Sequence, residues 1–484
     1  MDMDSADIPD AAAQNYCRIR RSHWERIARG EIGGHSLGGF YHRSLISLYR
    51  FHIPKDSRVL EIGCGKGDLL AALEPAEGVG VDFSPAMIRC ARERYPHLRF
   101  IEADAHVLTL TGQFDVIVLS DLVNDVWDVQ KVFSQLIPYV SPRTRVFINF
   151  HSHLWSHPLK IAQQLGLMTP LLPQNWLTVD DIANLLDLSG FEVIRHSDEV
   201  LLPLPLWPLT SLCNRWLARL WPFRYANLTH FMSARLRPGI TGQQQTPSVS
   251  VVVAARNEEG NIPAIFARVP PMGSGTELII VEGHSQDDTW GAIQKEMPLH
   301  PGLRPRALRQ PGKGKGDAVR TGFAEASGDI LMILDADMTV QPEDLPRFYD
   351  AIASGRGEFI NGVRLVYPMQ EGAMRFLNLL GNKFFSLAFS WLLGQPIKDT
   401  LCGTKVLWKS DYDRIAANRS YFGEFDPFGD FDLLFGAAKL DLKHVEMPIR
   451  YGERTYGTTN IQRFRHGMLL FRMVLFAARK IKFV

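Results

Sequence analysis

Two carboxylates one residue apart stand at a place in the sequence where a ligand would bind. Asp335 and Asp337 follow residues 330–334, an apolar run that predicts a strand buried on both faces. Open α/β sheets bind their ligands beyond the carboxyl ends of such strands. Because neighbouring carboxylates repel each other, we expect a hard divalent cation, Mg²⁺ or Mn²⁺, to join them to a diphosphate. The pair by itself is at least as compatible with two solvated loop aspartates.

A turn rich in glycine and lysine precedes this strand. The sequence Pro-Gly-Lys-Gly-Lys-Gly-Asp at 311–317, which includes Lys315, opens a predicted helix. Helix N-termini and lysine side chains both favour a diphosphate, although a flexible, solvated turn has the same composition. A complete phosphate-loop pattern is absent, which disfavours ATP hydrolysis. Glu258 and Glu282 also follow or end predicted strands, where a carboxylate could accept hydrogen bonds from a nucleotide.

A separate group of glycines and acids lies in the first half of the chain. Three glycines at alternate positions follow the predicted strand 58–62: Gly63, Gly65 and Gly67. They allow the backbone to approach a ligand that a Cβ atom would exclude. Asp82 closes the next predicted strand at a spacing that suits a carboxylate accepting ribose hydroxyls, and Asp104 closes the strand after that.

The composition is that of a globular protein with room for more than one domain. The chain has 484 residues, 46% of them hydrophobic and 22% charged, and this length predicts two or three domains. A formal net charge of +1 gives no global field that would select nucleic acid. The five cysteines are scattered, which fits a reducing, cytoplasmic compartment rather than a disulfide framework. We find no signal-peptide pattern and no apolar run of the roughly 18–20 residues that span a bilayer.

Strands alternate with helical stretches in both halves, and this alternation predicts an α/β protein of two domains. We expect a disordered tail over residues 1–14, a first domain over 15–237, a linker over 238–247 and a second domain over 248–484. The linker prediction rests on its Pro, Gly and Gln content. The two halves share no sequence period, so we interpret them as separate domains rather than a repeat.

The first half resembles the class I S-adenosylmethionine-dependent methyltransferases over residues 59–236. The sequence Glu-Ile-Gly-Cys-Gly-Lys-Gly, which starts at Glu61, matches their first motif. The resemblance implies a Rossmann-like sheet in which this motif lines the methionine part of the cofactor and Asp82 holds the ribose. It further implies that Asp104 and Ala105 lie beside the adenine. A dehydrogenase would instead show a Gly-x-Gly-x-x-Gly spacing, which is absent here.

The sequence leaves the methyl acceptor undefined. Polar residues follow the predicted strands, where a substrate would lie: Asp121, Asn124, Asp125, His151, His153 and His157. One of these could take a proton from a hydroxyl acceptor, and nothing in their spacing fixes a metal site. The aromatic stretch 201–221 either lines a pocket for a large apolar substrate or packs within the domain, and we expect packing.

The second half resembles the family 2 glycosyltransferases of the GT-A fold over residues 247–464, and within them the dolichyl-phosphate mannose synthase type. The resemblance implies transfer of a sugar from a nucleoside diphosphate sugar to a polyprenyl phosphate. On the donor side, the resemblance implies that Glu258 and Glu282 bind the base and ribose and that Asp335 and Asp337 bind the metal and the diphosphate. It also implies that Arg364 lies near the phosphates.

The acceptor side of that resemblance is carried by a loop and two later motifs. Thr404 and Lys405 belong to a loop that can present backbone N–H groups and a positive charge to a phosphate. Arg454 matches a late acceptor-side motif. Asp430 and Asp432 match the acid that serves as the base in many members, or else they position the sugar or cap a helix.

Three departures from the family pattern keep other interpretations open. Gly283 stands where an acid is usual, Thr339 where glutamine is frequent, and Asn460 where lysine is usual. The enzyme could therefore act on a soluble or protein acceptor, or one domain could have lost activity and serve as a binding module. The apolar stretches 376–393 and 467–484 are either core helices or helices that lie in the headgroup layer of the cytoplasmic membrane face.

Overall fold

A computed structural model describes residues 7–32, 38–239, 246–364, 376–421, 431–450, 452, 456 and 463–483. The chain divides into two compact units, which meet in the sequence at residues 240 and 241. This division falls inside the predicted linker, of which residues 240–245 lie outside the described part. Each unit is an α/β domain, as the sequence predicts, and is built on its own seven-stranded mixed sheet.

The sheet of the first domain has the strand order β3-β2-β1-β4-β5-β7-β6. Its strands are β1 Arg58–Ile62, β2 Glu77–Asp82, β3 Arg99–Glu102, β4 Phe114–Ser120, β5 Val140–His151, β6 Phe191–Glu199 and β7 Thr229–Leu236. The first five are parallel, and β7 runs antiparallel to both β5 and β6. β1 is apolar on both faces because helices cover both: Leu60 and Ile62 join one core cluster and Val59 joins another.

Helices flank this sheet and precede it. They are α1 Asp7–Ala28, α2 Gly38–His52, α3 Asp68–Leu73, α4 Pro85–Arg94, α5 Val129–Ser134, α6 Ser156–Gln164, α7 Val179–Leu188 and α8 Leu209–Arg215. Residues 7–14, which the sequence analysis assigns to a disordered tail, are helical in α1. The disorder prediction is therefore wrong from residue 7 onward. The acidic, alanine-rich composition on which it rested is equally suited to a helix.

The sheet of the second domain has the order β10-β9-β8-β11-β13-β12-β14. Its strands are β8 Val249–Ala255, β9 Thr276–Glu282, β10 Arg306–Arg309, β11 Ile330–Asp335, β12 Phe359–Val363, β13 Lys405–Trp408 and β14 His444–Pro448. β13 runs antiparallel to β11 and β12, and the other pairings are parallel. The first five residues of β11 are buried, in agreement with the apolar run that predicts this strand.

The helices of the second domain are α9 Ile262–Arg268, α10 Thr289–Glu296, α11 Lys315–Glu325, α12 Leu345–Ala353, α13 Phe376–Leu393, α14 Lys409–Ala417, α15 Phe431–Lys439 and α16 Arg463–Ala477. α11 lies against β8 and β9, and its first residue is the lysine predicted to face a diphosphate. α13 packs against α16. No helix in the described residues is both long and apolar enough to cross a membrane.

Candidate active sites

The first domain forms a pocket at the carboxyl ends of its central parallel strands. Four residues predicted to bind the cofactor line it: Gly63, Asp82, Asp104 and Ala105. They come together because β1, β2 and β3 are parallel neighbours that end at the same edge of the sheet. The pocket therefore collects the predicted glycine, ribose and adenine residues from three separate segments of the chain.

The turn after β1 depends on glycine. Gly65 has a φ of +52°, and a Cβ atom placed on it would have no other atom within 4 Å, so this residue faces open space. Its N–H donates to Oδ2 of Asp82 at 3.0 Å, and the N–H of Ser84 donates to Oδ1 at 2.9 Å. This arrangement fits a ligand that lies against bare backbone and shares the remaining lone pairs of the Asp82 carboxylate.

The two acids of the pocket have different electrostatic environments. Burial raises the pKa of Asp82 to about 6, against the opposing effect of its backbone hydrogen bonds. The Asp104 carboxylate accepts from the backbone N–H of His106 at 2.9 Å and lies 2.6 Å from the Nδ1 of that imidazole. The hydrogen bond from His106 lowers the pKa of Asp104. Both groups can therefore be ionised acceptors at neutral pH, as contacts to ribose and adenine require.

Glu61 lies on the buried side of β1 rather than in the pocket lining. Its side chain is 3% exposed, and its Oε2 has no hydrogen-bond partner among the described residues. Burial raises the pKa of Glu61 to about 8. At neutral pH the carboxyl is therefore mostly protonated, and ionising it in place costs folding free energy.

The variant Glu61→Gln tests this protonation. Since the folded pKa of about 8 lies above the model-compound value of 4.5, the stabilising protonated form is lost as pH rises through this range. We expect the first domain of the wild type to lose up to about 5 kcal/mol between pH 5 and 9 from this group. Glu61→Gln should remove that part of the slope in pH-dependent denaturation, whereas the exposed Glu93→Gln should not. An unchanged slope in Glu61→Gln would contradict a protonated Glu61.

α1 contributes Tyr16 and Arg20 to the pocket lining, which the sequence analysis missed. Arg20 donates from Nε to Oδ1 of Asp125 at 2.8 Å, and Trp24 donates from Nε1 to Oδ2 at 2.7 Å. The Arg20 guanidinium lies 3.4 Å from the ring centroid of Tyr16. Tyr16, Arg20 and Trp24 recur every four residues, so a helical face carrying them could have been identified from the sequence.

A buried network around Asp121 lies after β4. Asp121 has a φ of +53°, and its Oδ1 accepts from the Tyr41 hydroxyl at 2.9 Å and from the Asn149 amide at 2.7 Å. Nε2 of His151 is 3.8 Å from the same oxygen, while Nδ1 of His151 is buried with no partner among the described residues. The other two histidines considered as bases, His153 and His157, are exposed. The structure therefore singles out His151.

In the second domain Asp335 ends β11 against positive charge. Its Oδ1 lies 2.5 Å from the Nζ of Lys315, the first residue of α11. Burial would raise the pKa of Asp335, but the charges of Lys315, Lys405 and Arg364 hold it below its usual value. A Cβ atom on Gly403 would lie 2.1 Å from Oδ2 of Asp335, so the loop before β13 reaches the carboxylate only because it carries glycine there.

Asp337 lies in a tight turn after the strand rather than in an extended continuation of it. The N–H of Met338, whose φ is +51°, donates to the backbone oxygen of Asp335 at 3.1 Å. Thr339 donates to Oδ1 of Asp337 from its hydroxyl at 2.8 Å and from its N–H at 3.2 Å. Thr339, which departs from the family pattern, thus orients the second acid. Carboxylate oxygens are the donors that Mg²⁺ and Mn²⁺ prefer, so this pair fits such an ion.

The two glutamates predicted for the nucleotide lie at the ends of adjacent parallel strands. β8 and β9 pair so that Ala255 is opposite Glu282, and Glu258 follows three residues after β8. Oε2 of Glu258 accepts from the Asn261 amide at 2.6 Å, and Oε1 of Glu282 accepts from the Ser285 N–H at 2.5 Å. Both side chains are buried and held in place at the same sheet edge as Asp335.

Gly283, which stands where an acid is usual, lies close to the side chain of Gln310. The N–H of Gly283 donates to the backbone oxygen of Ala255 at 2.8 Å. A Cβ atom there would lie 3.0 Å from Oε1 of Gln310 and 3.3 Å from the Cβ of Arg256. Gln310 therefore occupies space beside this position, and its amide is the polar group nearest to it.

Arg364 forms an ion pair with Asp399. It lies at the end of β12 and forms a bidentate pair with Asp399, at 2.7 Å from Nε to Oδ2 and 2.9 Å from Nη2 to Oδ1. Both side chains are largely buried. The charge of Arg364 nevertheless acts on Asp335, as its contribution to the lowered pKa of that acid indicates.

Removing the carboxylate of this pair should destabilise the second domain strongly. Asp399→Asn leaves the buried Arg364 guanidinium without its bidentate anion, a change that costs about 3–5 kcal/mol when a buried pair is broken. Denaturant unfolding measures the loss. Asp344→Asn breaks the more exposed pair with Arg347 and should cost less than about 1 kcal/mol. Equal effects of the two substitutions would contradict a structural role for the Asp399 pair.

The loop predicted for the acceptor lies beside the donor-side acids. Thr404 is fully buried, and its Oγ1 has no partner among the described residues. Lys405 is 1% exposed, donates to the backbone oxygen of Cys402 at 2.6 Å, and helps to lower the pKa of Asp335. The third predicted acceptor residue, Arg454, lies outside the described residues, as does Asn460.

Asp432 is the described member of the candidate base pair. It lies in the first turn of α15 with its Oδ2 3.1 Å from Nε of Arg419 and 3.7 Å from Nη1 of Arg320. These two ion pairs engage the carboxylate, which suits a positioning role better than proton abstraction. Asp430 lies outside the described residues.

Large apolar side chains are exposed to solvent in two places where packing into a core was one of the expectations. On α13 and α16 several large side chains are exposed: Phe384, Leu387, Met468, Phe471 and Leu475. In the first domain Trp207 is 85% exposed and Trp221 is 77% exposed, so the expectation that the 201–221 stretch packs inside the domain is wrong for these side chains. The sequence alone could not show which of these apolar side chains are buried and which are exposed, because a buried and an exposed apolar segment can have the same composition.

Two family models match the chain. Residues 39–196 match the model described as a methyltransferase domain, and residues 250–414 match the one described as glycosyl transferase family 2. The chain therefore joins a methyltransferase domain to a family 2 glycosyltransferase domain. Each match covers the strands and turns that carry the corresponding candidate site, from Gly63 to Ala105 in the first domain and from Glu258 to Asp337 in the second.

Curated relatives make the likeness more specific. Dolichol-phosphate mannosyltransferase of Pyrococcus furiosus is 35% identical over 219 residues, which are 44% of this chain and 59% of that protein. Dolichyl-phosphate hexose transferase of Haloferax volcanii is 27% identical over 228 residues, which are 47% of this chain and 92% of that protein. The chain thus spans less than two thirds of the Pyrococcus relative. A methyltransferase structure from Mesorhizobium loti aligns at 20% identity over 39% of this chain and 96% of its own, with a TM-score of 0.31.

Proposed function

We propose that the second domain transfers a sugar from a nucleoside diphosphate sugar to a polyprenyl phosphate of the dolichyl type. The observation that carries the proposal is the group at the end of β11, where Asp335 meets Lys315 and the glycine-containing loop before β13 and Asp337 follows in the next turn. The names of the archaeal relatives support this acceptor class. A soluble or protein acceptor is the alternative.

On the donor side each residue has a physical task. Glu258 and Glu282 accept hydrogen bonds from the base and ribose, and Asp335 and Asp337 hold Mg²⁺ or Mn²⁺. When bound, such an ion neutralises the charge that develops on the leaving diphosphate. Lys315, at the N-terminus of α11, donates to the phosphates, where the helix dipole adds a favourable field.

On the acceptor side little base assistance is needed, since a phosphate is already an anion. The unpartnered Oγ1 of Thr404 and the charge of Lys405 orient this anion next to the donor. The ion-paired Asp432 positions the sugar or the loop rather than removing a proton. Arg364 adds positive charge near the diphosphate while Asp399 fixes its direction.

Thr404→Val separates ligand binding from folding. Burying a hydroxyl without a partner is costly, so valine should leave the free domain equally or more stable. If the hydroxyl serves the acceptor phosphate, the KM for polyprenyl phosphate should rise by about five- to tenfold. Steady-state kinetics and thermal unfolding give the two readouts. A loss of stability without a change in KM would contradict the acceptor role.

For the first domain we propose methyl transfer from S-adenosylmethionine to an acceptor that the site does not identify by itself. The backbone at Gly65 and the Asp82 carboxylate hold the methionine and ribose parts of the cofactor, and Asp104 with Ala105 lies beside the adenine. His151, next to Asp121, is the candidate base for a hydroxyl acceptor. The alternative is a domain that binds the cofactor or a partner without turnover.

The location that fits these activities is the cytoplasmic face of a membrane, with peripheral attachment. The apolar side chains exposed on α13 and α16 support this proposal, since these two helices pack together and leave Phe384 and Met468 in solvent. Basic residues at 479, 480 and 482 follow α16 and would face anionic headgroups.

One experiment tests the main proposal. Purified full-length protein is incubated with polyprenyl phosphate, Mn²⁺ and a set of labelled UDP- and GDP-sugars, and the lipid phase is counted. We expect labelled lipid with one donor and none without the metal. Turnover only with a soluble acceptor would support the alternative, and no turnover with any donor would reject the proposal. Calorimetric titration with S-adenosylmethionine tests the first domain separately.

A further inference from the structure

The first domain contains a second cluster of potential ligands outside the cofactor pocket. His196 and Asp198 lie on β6, and His230 lies on β7 directly opposite Asp198. Because side chains alternate along a strand, residues 196 and 198 share one face, and His230 projects from that same face of the neighbouring strand. None of the three lines the cofactor pocket.

The three ligand atoms form a compact triangle. Oδ1 of Asp198 is 2.8 Å from Nδ1 of His230 and 3.0 Å from Nε2 of His196, and the two nitrogens are 3.4 Å apart. Nitrogen and oxygen ligands that lie about 2.0–2.2 Å from a metal ion are about 2.8–3.6 Å apart in octahedral or tetrahedral coordination. The triangle therefore has the edge lengths of one face of a coordination polyhedron.

The surroundings leave room for further ligands. The side chains of His196, Asp198 and His230 are 31%, 15% and 19% exposed, so solvent reaches the cluster. The His230 ring lies 5.2 Å from that of Phe150 on β5, and this contact holds one side of the cluster. Two imidazoles and one carboxylate suit a first-row transition ion, whereas Asp335 and Asp337 offer only the hard oxygen ligands that suit Mg²⁺ or Mn²⁺.

We propose that His196, Asp198 and His230 bind a divalent transition-metal ion, with Zn²⁺ as the probe ion, and leave at least one coordination position open to water or a ligand. Without metal, both imidazoles can share the Asp198 oxygen by hydrogen bonding, so the same contacts keep the ligands in place before the ion arrives.

Metal titration of the full-length protein tests this site. After treatment with a chelator, Zn²⁺ affinity is measured by competition with a chromophoric chelator, and Co²⁺ absorption reports the coordination. We expect one Zn²⁺ per chain, with at least a tenfold loss of affinity in His230→Gln and in Asp198→Asn. The exposed His97→Gln and the second-domain Asp337→Asn should retain the site.

Folding is checked by whether S-adenosylmethionine still shifts the thermal transition of each variant. If His230→Gln fails this check, His196→Gln, at the most exposed ligand, replaces it. Zn²⁺ affinity that is unchanged in the folded variants, or that is lost equally in His97→Gln, would overturn the proposal.

The exposed aromatic segment of the first domain supports a second, independent inference. Trp207 and Trp221 are exposed at 85% and 77%, and the indole of Trp155 donates to the backbone oxygen of Ala226 at 2.9 Å. That hydrogen bond places the start of α6, with its own exposed apolar residues, against the end of the segment. The exposed apolar residues here are Leu154 just before α6, Ile161 within it and Leu165 directly after it.

The segments that form this surface contain basic residues but no acidic ones. The sequence contains no Asp or Glu over residues 152–179 or 200–257, whereas Lys160 and Arg224 are both exposed. Tryptophan with basic residues around an apolar surface is the composition that favours the headgroup layer of an anionic bilayer. We infer that this surface, formed by α6 and residues 201–226, docks on an anionic lipid bilayer.

Vesicle sedimentation with the full-length protein tests the surface. We expect binding to vesicles of phosphatidylcholine with phosphatidylglycerol, little binding to phosphatidylcholine alone, and at least a tenfold loss in the double variant Trp207→Ser, Trp221→Ser. Leu299→Ser, at an apolar position of the second domain that is 64% exposed, is the control. Phe384→Ser with Leu387→Ser tests the second-domain helices separately, so the two membrane proposals can fail independently.

Unchanged vesicle binding in the tryptophan variant would overturn this inference. So would a concentration-dependent dimer that the same variant abolishes, because a second copy of the chain would then be the occupant.

Discussion

Asp337→Asn is expected to reduce sugar transfer by at least about a hundredfold while leaving the domain folded. The substitution keeps the size of the side chain and removes one of two carboxylates that would hold the divalent ion. Loss of one group that stabilises developing charge in an active site costs about 10²–10³ in rate. Thr339 can still donate its hydroxyl hydrogen bond to the amide oxygen, so the turn after β11 should persist.

The measurement is transfer of labelled sugar to polyprenyl phosphate over a range of Mn²⁺ concentrations. If Asp337 holds the ion, the variant should need a higher Mn²⁺ concentration for half-maximal transfer. Adding Mn²⁺ should also raise its affinity for the nucleoside diphosphate less than it does in the wild type. Asp413→Asn, at an exposed acid of the same domain, is the matched control and should keep full activity. Normal turnover and normal metal dependence in Asp337→Asn would remove the basis for the proposed glycosyl transfer.

Gly65→Arg should abolish binding of S-adenosylmethionine and leave sugar transfer intact. Gly65 adopts a φ of +52°, which costs a non-glycine residue roughly 1–2 kcal/mol. The larger effect is steric, because the space beside Gly65 is open and an arginine side chain would fill the volume that the cofactor needs. The backbone N–H that binds Asp82 would also be displaced.

Isothermal titration with S-adenosylmethionine measures the effect, and sugar transfer measured on the same preparation shows whether the two domains act separately. Gly166→Arg is the matched control, since Gly166 also has a positive φ of +67° and no atom within 4 Å of a Cβ placed there. It lies outside the pocket lining. Gly65→Ala separates backbone strain from bulk and should bind the cofactor more weakly without losing it. Wild-type affinity in Gly65→Arg would exclude this turn as the cofactor site.

The sequence predicts the strands that carry both sites because their signals are local. An apolar run that ends in polar residues requires only burial on both faces, and β1 and β11 begin at the predicted residues for that reason. The glycines after β1 give an equally local signal, since their backbone conformation depends on the absence of a side chain. The resemblances to two families follow from these same short motifs, and the family models match the corresponding stretches.

Contacts between distant segments could not be predicted in this way. That Arg364 would pair with Asp399 rather than stand free depends on how β12 and the loop before β13 meet. The pairing of Asp432 with Arg419 and Arg320 depends likewise on the packing of separate helices. Sequence spacing carries no information on such partners, because each is fixed by the arrangement of elements far apart in the chain.

What the sequence by itself determined is the class of each domain and the identity of the residues at the strand ends, since hydrophobic pattern and glycine spacing act over a few residues. Only the tertiary structure decided the environment of those residues. It buried Glu61, placed α1 beside the pocket of the first domain and exposed the tryptophans at 207 and 221. Burial and charge are properties of the assembled neighbours, and these set the pKa of a side chain and its availability to a ligand.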